Sequence, residues 1–510
     1  MSTHQIFVLL LIQLALLLLP AFGLSLLFKK AGAPSRSAYI PFYNTWVIQE
    51  LGGRPKHWVF WQLVPIAGWF ITMAIYVEFV KNYGKFRLWE HALAALLPFF
   101  YFPAIGYDPA TRFLGPAGAR LHKKGKAREW IDAGVFAIVA ATLIRTFVFE
   151  AYVIPSGSME KTLLVNDYLF VSKFAYGPRI PLTPLAIPFV HNTLPIGDRK
   201  SYLDWPKLPY IRWFASPVKR GDCVVFNLPI GDTVINLPEY QSLRPYYDVI
   251  RALGNGNSDS GRQIVLHDPE QYPLIMRPID KEENYIKRCV AIPGDTLSIK
   301  DHVVFINGQA QPFPPESQTW YRVRTKGQPM DENVLKEEYD LDIANSDEFQ
   351  TTDHPNEYRM MLNIKRRDAM QKSGLATSIT IETDSSLNIF PYSPLFHWDL
   401  DDYGPLFVPR SGSTIALTAG TYALYERVIR VYEDNAFSMQ DGRFYLNGKE
   451  VTQYTFKNNY YWMMGDNRHN SQDSRFWGFV PEDHIVGKAA VIWMSWGHGV
   501  RWNRLFKTIH

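Results

Sequence analysis

Apolar side chains crowd the first 150 positions of this chain in long runs, then give way to short alternating ones. Ile6 to Phe28 is nearly unbroken, interrupted by Gln13, Pro20 and small residues. At about 1.5 Å per residue it is long enough for a hydrocarbon core of about 30 Å. Met1 to Gln5 hold no Lys or Arg, whereas Lys29 and Lys30 follow the run. A cleaved secretory signal has the reverse order, so the run is expected to remain as a span. Further spans are expected at 58–80, 92–106 and 130–149. The third is short and holds Pro98 and Pro103, so the pattern fits three or four spans. The last places Arg145 near its end, where a charge can snorkel to the headgroups.

Basic residues orient these segments. Lys29, Lys30, Arg36, Arg54 and Lys56 lie between the first two, and Arg112, Arg120, Lys123, Lys124, Lys126 and Arg128 precede the last. Positive loops stay cytoplasmic, which puts everything after Phe149 on the outer face. The polar residues Gln13, Gln62 and Glu78 read as too few and too scattered for a transport pathway.

After Ile154 the texture is that of strands: Asp222 to Phe226, Tyr285 to Ile292, Thr296 to Ile306 and Thr414 to Leu417, separated by Gly, Pro, Asn and Asp. Asp301 to Gly308 and Asp441 to Gly448 look like two versions of one hairpin, each ending in the Asn-Gly of a type I′ turn. Arg322 to Leu395 is more polar; a helix is expected from Asp353 and Pro355 to Gly374. The Pro- and aromatic-rich stretch 182–216 suits packing on the β core and contact with a bilayer surface equally. The division expected is a membrane region at 1–150, a β-rich core from 151–310 and 404–500, and an inserted domain at 311–403.

Composition narrows the classes. Over 510 residues, 47% hydrophobic and 20% charged, the mean hydropathy of −0.14 is too polar for a polytopic transporter. An aromatic content of 15% excludes a disordered chain. A net charge of +4 makes no case for nucleic acid. The two cysteines, Cys223 and Cys289, fall in expected strands and are expected to be buried free thiols. No Cys/His spacing resembles a zinc site, no loop a calcium site and no Gly-rich stretch a phosphate cradle, so no metal or organic cofactor is expected.

The chemistry is concentrated in four segments. Ile154-Pro155-Ser156-Gly157-Ser158-Met159 follows the last apolar run and by itself reads as a flexible linker. It is joined by Arg220-Gly221-Asp222, by Tyr285-Ile286-Lys287-Arg288 with Pro293-Gly294-Asp295, and by Gly465 to Gly478. A serine hydroxyl attacks poorly until a base takes its proton. A lysine is such a base only when neutral, so a site must bring its pKa down from about 10.4, and burial does this. Lys287 has Ile286, Val290, Ala291 and Ile292 near it in sequence, and Met159 and Phe170 are candidates for further apolar cover. Strand alternation puts Tyr285, Lys287 and Cys289 on one face. Taken alone, a Lys-Arg pair on a strand is usually a solvated face.

Together the four segments, in this order, resemble the bacterial signal peptidase I (leader peptidase) family from Arg145 to about Val491, with unmatched insertions. The resemblance implies a membrane-anchored, mainly β protein: N-terminal transmembrane helices, then an antiparallel β catalytic domain with an inserted α+β/β domain. It implies a serine endopeptidase with Ser158 as nucleophile and Lys287 as general base. Ser156 matches the hydroxyl that joins the Ser158 N–H in an oxyanion hole, and Ser471 the hydroxyl that orients the base. Asp473 and Arg475 match a supporting ion pair. Gly465, Asp466, Asn467 and Arg468 match the turn that carries them, and Tyr285 and Arg288 flank the base. The implied reaction is removal of signal peptides after small residues from exported preproteins, at the outer, periplasmic face of the plasma (inner) membrane; the apolar runs, which lie outside the resemblance, are what make the expected protein multi-pass. The implied partners are preproteins, membrane lipid and the secretion translocase, with no nucleic acid and no cofactor. Ile154 and Pro155 are candidates for lining the pockets.

Two departures stand out. His469 replaces the Asp of the commonest family pattern, which raises a rival Ser158/His469/Asp466 triad. Glu160-Lys161 precede Thr162 where many members have Pro, which should change the local backbone. The rival functions are a catalytically inactive membrane-anchored adaptor on the same fold, and a channel or transporter subunit with a large outer β domain.

Overall fold

The computed structural model describes residues 3–509 except 65–66, 123–124, 196–198, 206, 243, 257, 328–330, 384–387 and 498. Lys123 and Lys124 of the second basic loop thus lie outside the described residues, as do two positions of the 58–80 segment. The chain forms two compact units, Met1–Leu143 and Ile144–His510.

The first unit is helical, and its helices are shorter than the apolar runs. Thr3–Leu18 and Ala21–Lys30 are separated at Pro20, which cannot donate to the helix ladder, and Leu10–Leu18 is bent by 42° from Ala21–Lys30. Trp58–Trp61 and Ala67–Lys81 occupy the second run. Leu88–Leu96 and Pro98–Tyr107 split the third, the latter beginning at Pro98. Among the described residues, one helix, Lys126–Phe147, is long and apolar enough to cross a membrane, or two if the bent pair is one span. None of its residues is buried, and Trp130 and Phe136 are largely exposed.

Gln13 and Gln62, expected to be scattered, instead meet. Both donate to the Thr72 hydroxyl, at 3.2 and 2.8 Å, and the Thr45 hydroxyl donates to Gln62 at 2.7 Å. Burial requires such groups to pair with one another, and their sequence separation hid the pairing. Glu78 stands apart, paired with Arg54 and Lys81.

The second unit is mainly antiparallel β. Its largest sheet runs in the order Phe149–Val153, Asp167–Ser172, Ile485–Ser495, Cys223–Asn227, Asn284–Ala291, Tyr460–Met464 and Val480–Pro481. Phe149–Val153 is an edge strand; it pairs Phe149 with Ser172 through Val153 with Tyr168. The core behind the sheet includes Ile154, Met159, Leu163, Leu169 and Ile492, all almost completely buried. Cys223 and Cys289 are buried free thiols. Cys223 lies opposite Arg288, so Cys289, one residue further, projects from the other face.

The two hairpins fold alike. Asn307 and Gly308 take φ of 53° and 82°, Asn447 and Gly448 50° and 80°, the left-handed pair that a type I′ turn needs. Gln318–Thr325, Phe349–Thr351, Glu357–Asn363 and Ala376–Ile381 form a separate four-stranded sheet. It has its own core of Tyr321, Val323, Leu335, Met360, Leu362 and Met370. The helix expected from Asp353 begins later. Glu357–Asn363 is a strand paired with Gln318–Thr325, and the helix covers Ile364–Lys372, capped by the Asn363 side chain and closed by Gly374 at φ 70°. Distant pairing overrides the local helix signal here.

Candidate active site

The chain leaves the edge strand at Val153, continues its pairing through Ile154, and turns at Ser156 into a single 3₁₀ turn, Gly157–Met159. Asn467 fixes that turn from the far end of the sequence. Its N–H donates to the Ser158 carbonyl at 3.1 Å and its Nδ2 to the Gly157 carbonyl at 3.0 Å. Ser158 is thereby held against the strand Asn284–Ala291. Lys287 Nζ lies 2.7 Å from Ser158 Oγ and 3.1 Å from the Ile286 carbonyl. It also sits 5.5 Å from the centre of the Tyr285 ring, so Tyr285 and Lys287 share a face as alternation predicts.

Lys287 is 3% exposed. Burial, which penalises the ammonium form, brings its pKa down to about 8, although the carboxylates of Asp473 and Asp466 pull it back up. Met159 is buried in the adjacent core with Ile154 and Ile286. Phe170 does not provide the cover expected of it. It lies on the opposite face from Leu169 and packs on Phe149 and Trp493, at 5.0 and 5.6 Å between ring centres. A cavity of about 1130 Å³, lined in part by Tyr285, Gln472, Phe476 and Trp477, flanks the lysine's strand without including Ser158 or Lys287 in its walls.

The remaining motif residues form an interlocked frame. Asp466 takes two bonds from Arg288, at 2.8 and 2.7 Å, and one from the Thr162 hydroxyl at 2.6 Å. Arg220 pairs with Asp295 at 2.6 Å, joining two of the short motifs. Asp473 accepts from the Gly465 N–H at 3.0 Å and from Arg475 Nε and Nη2 at 2.9 Å each, with both side chains buried. Burial brings the Arg468 pKa down to about 10, and its backbone N–H donates to Gln318. Gly465 is glycine for lack of room: a Cβ there would stand 2.2 Å from Ser471 Oγ and 2.5 Å from the Ser158 carbonyl. Ser471 is thus beside the nucleophile, buried, and its hydroxyl has no hydrogen-bond partner among the described residues. It is not bonded to Lys287 here. Ser156 is exposed, and among the described residues neither its hydroxyl nor the Ser158 N–H is engaged by the protein.

The rival triad is not assembled. His469 Nδ1 faces the Thr319 hydroxyl at 2.7 Å and its Nε2 faces Asp401 at 3.1 Å, while the Asp466 carboxylate is taken by Arg288 and Thr162. Lys161 takes φ 69°, which proline cannot adopt, so the departure before Thr162 does change the backbone. Its ammonium reaches the Asp340 carbonyl at 2.9 Å and Glu348 at 3.3 Å. Thr162, Ser317 and Gln318 were not foreseen as part of the frame. Ser317 Oγ and Gln318 N–H both donate to the Asp466 carbonyl at 2.9 Å. No local pattern marks them, because their partner Asp466 lies 149 residues from Ser317 and 304 from Thr162.

A serine oxygen touching a lysine nitrogen whose proton is easily lost, with two unengaged donors alongside, is a site suited to acyl transfer. Comparison with known proteins agrees. The model of the family described as "Signal peptidase, peptidase S26" matches residues 127–363 and 424–496, more than half of the chain. Residues 37–116 match a family of unknown function. Signal peptidase I of Haemophilus influenzae is 26% identical over 399 residues, covering 77% of this chain and 78% of that protein. Signal peptidase I of Buchnera aphidicola (subsp. Acyrthosiphon pisum) is 25% identical over 72% of this chain and 77% of its own length. That of Pseudomonas aeruginosa is 23% identical, covering 75% and 78%. The chain belongs to the signal peptidase, peptidase S26, family, and is a peptidase.

Proposed function

We propose that the protein is a signal peptidase I: a serine endopeptidase in which Ser158 attacks the scissile carbonyl and neutral Lys287 takes the hydroxyl proton. The 2.7 Å approach of Lys287 Nζ to Ser158 Oγ carries this reading. The oxyanion would be met by the Ser158 N–H and the Ser156 hydroxyl, the tetrahedral intermediate would collapse with release of the new amine, protonated by Lys287, and water would then hydrolyse the acyl-enzyme. Ser471, buried beside the pair, is positioned to orient the amine once the site closes on substrate. An extended substrate would add to the edge strand Phe149–Val153, which leads directly into the nucleophile turn. Ile154 is buried below that turn and Pro155 exposed beside it, so Pro155 is the better placed of the two to touch substrate.

We extend the proposal to location. The Lys126–Phe147 helix, unburied along its length, suits a membrane anchor, and the basic residues before it suit a cytoplasmic flank. The catalytic unit then lies on the outer face of a multi-pass protein, where exported preproteins emerge. The four-stranded sheet at 318–381 falls within the 311–403 stretch read as an insertion.

Incubation of the purified protein with a preprotein tests the reading. Processing is expected for the unaltered chain and for His469→Ala, and loss for Ser158→Ala and Lys287→Ala; full activity of Lys287→Ala would overturn the dyad. Because only neutral Lys287 accepts the proton, log kcat/KM is expected to rise with pH by about one unit per pH unit and to level off above an apparent pKa of about 8. A flat profile between pH 6 and 8 would count against Lys287 as the base. Ser156→Ala is expected to lower kcat by about 10²–10³-fold with little change in KM, since its hydroxyl would act on the transition state.

A further inference from the structure

We infer that His302, Asp401 and His469 form a binding site for a divalent first-row transition metal of the zinc class. The three come from distant segments: the turn after Thr296–Lys300, the loop before Tyr403–Phe407, and the turn that carries Ser471. One possible ligand atom from each lies within 4.8 Å of the others. His302 Nδ1 is 2.7 Å from Asp401 Oδ1 and His469 Nε2 is 3.1 Å from the same oxygen. An ion bound tetrahedrally at about 2.0–2.2 Å holds its ligand atoms roughly 3.4 Å apart, so side-chain shifts of about 1 Å would admit it.

The chemistry of the set points to a metal. Two imidazoles and one carboxylate are a zinc-type donor set that leaves a fourth position for water. All three side chains are at most 7% exposed, so they form an enclosed cluster rather than a solvated surface group. His302 turns its Nδ1 toward Asp401, so an ion in the cluster would take that nitrogen and leave the ring proton on Nε2, which is buried with no hydrogen-bond partner among the described residues. His469 is oriented from behind by the Thr319 hydroxyl at 2.7 Å, which can receive the Nδ1 proton when Nε2 is metal-bound. Arg475, the nearby cation that would repel the ion, is neutralised by Asp473. Asp401 lies in 364–423, outside the family match, so the set uses a residue that the peptidase family model does not contain. A bound ion would tie the turn holding Ser471 to two other segments of the β unit. The inference does not depend on the Ser158–Lys287 reaction.

The test uses the full, tag-free chain purified in detergent, stripped with chelator and titrated with Co²⁺. The expected result is visible d–d absorption of a low-symmetry site, saturating at one Co²⁺ per chain and erased by Zn²⁺. His302→Gln and Asp401→Asn, which keep much of the hydrogen bonding, are expected to weaken binding at least about 100-fold. Zn²⁺ is expected to raise Tm for the unaltered chain and not for these variants. Absence of a saturable spectrum in the unaltered chain would overturn the inference whether or not the variants fold. So would equal affinity in the unaltered chain and in His302→Gln.

Discussion

Ser158→Ala and Lys287→Ala are each expected to reduce preprotein cleavage by at least about 10²–10⁴-fold, measured as single-turnover rate at saturating substrate. The two losses should not add: either change disables the same proton transfer, so the double variant should resemble the singles. Stability is expected to move the other way for the lysine. Lys287 is buried with its pKa lowered to about 8, so below that pH the folded state carries an ammonium ion that burial disfavours. Between pH about 8 and the unfolded value near 10.4, the unfolded chain binds more protons, and stability rises with pH through that window. Lys287→Met is therefore expected to raise Tm below pH 8, with the gain shrinking as the pH approaches 10. An inactive but more stable variant is the signature of a residue held at a cost to folding for the sake of chemistry. A destabilised Lys287→Met would show instead that the amine is a structural hydrogen-bond donor.

The second large effect is expected at Arg475. It is 1% exposed and its carboxylate partner Asp473 is fully enclosed. Among the described residues, Arg475→Met leaves Asp473 charged and buried with the backbone N–H groups of Gly465 and of position 475 as its donors, a situation that typically costs about 3–5 kcal/mol. Because Gly465 packs against both Ser471 and the Ser158 carbonyl, activity should fall together with the unfolding midpoint. Asp473→Asn/Arg475→Met, which removes both charges, is expected to recover part of the lost stability. If the double variant is less stable than Arg475→Met, the burial of an unpaired charge is not the cause.

The site was more legible in the sequence than the fold around it. Ser158, Lys287, Asp466 and Asp473 sit in short motifs whose order and spacing carry the signal, and the structure brings all of them together. The strands were visible because alternation is local, and both Asn-Gly turns follow from a left-handed requirement that few residues meet. What stayed hidden depends on distant partners. Glu357–Asn363 looks helical until Gln318–Thr325 pairs with it, and Gln13 and Gln62 look stray until Thr72 joins them. Thr319, His302 and Asp401 lie outside the four catalytic segments, and only the folded chain places them around His469. In the N-terminal unit hydropathy located the apolar runs, but Pro20 and Pro98 decided where the helices break.

The placement of the two cysteines bears on how the protein is made. With Cys223 opposite Arg288, the thiols of Cys223 and Cys289 project to opposite sides of one sheet, and no rotamer change can join them without moving a strand by one residue. A β unit that matures in an oxidising compartment normally runs the risk of wrong pairing and the wait for an oxidant. In this β unit both thiols are buried and unjoined, so its folded state needs no oxidant to be completed.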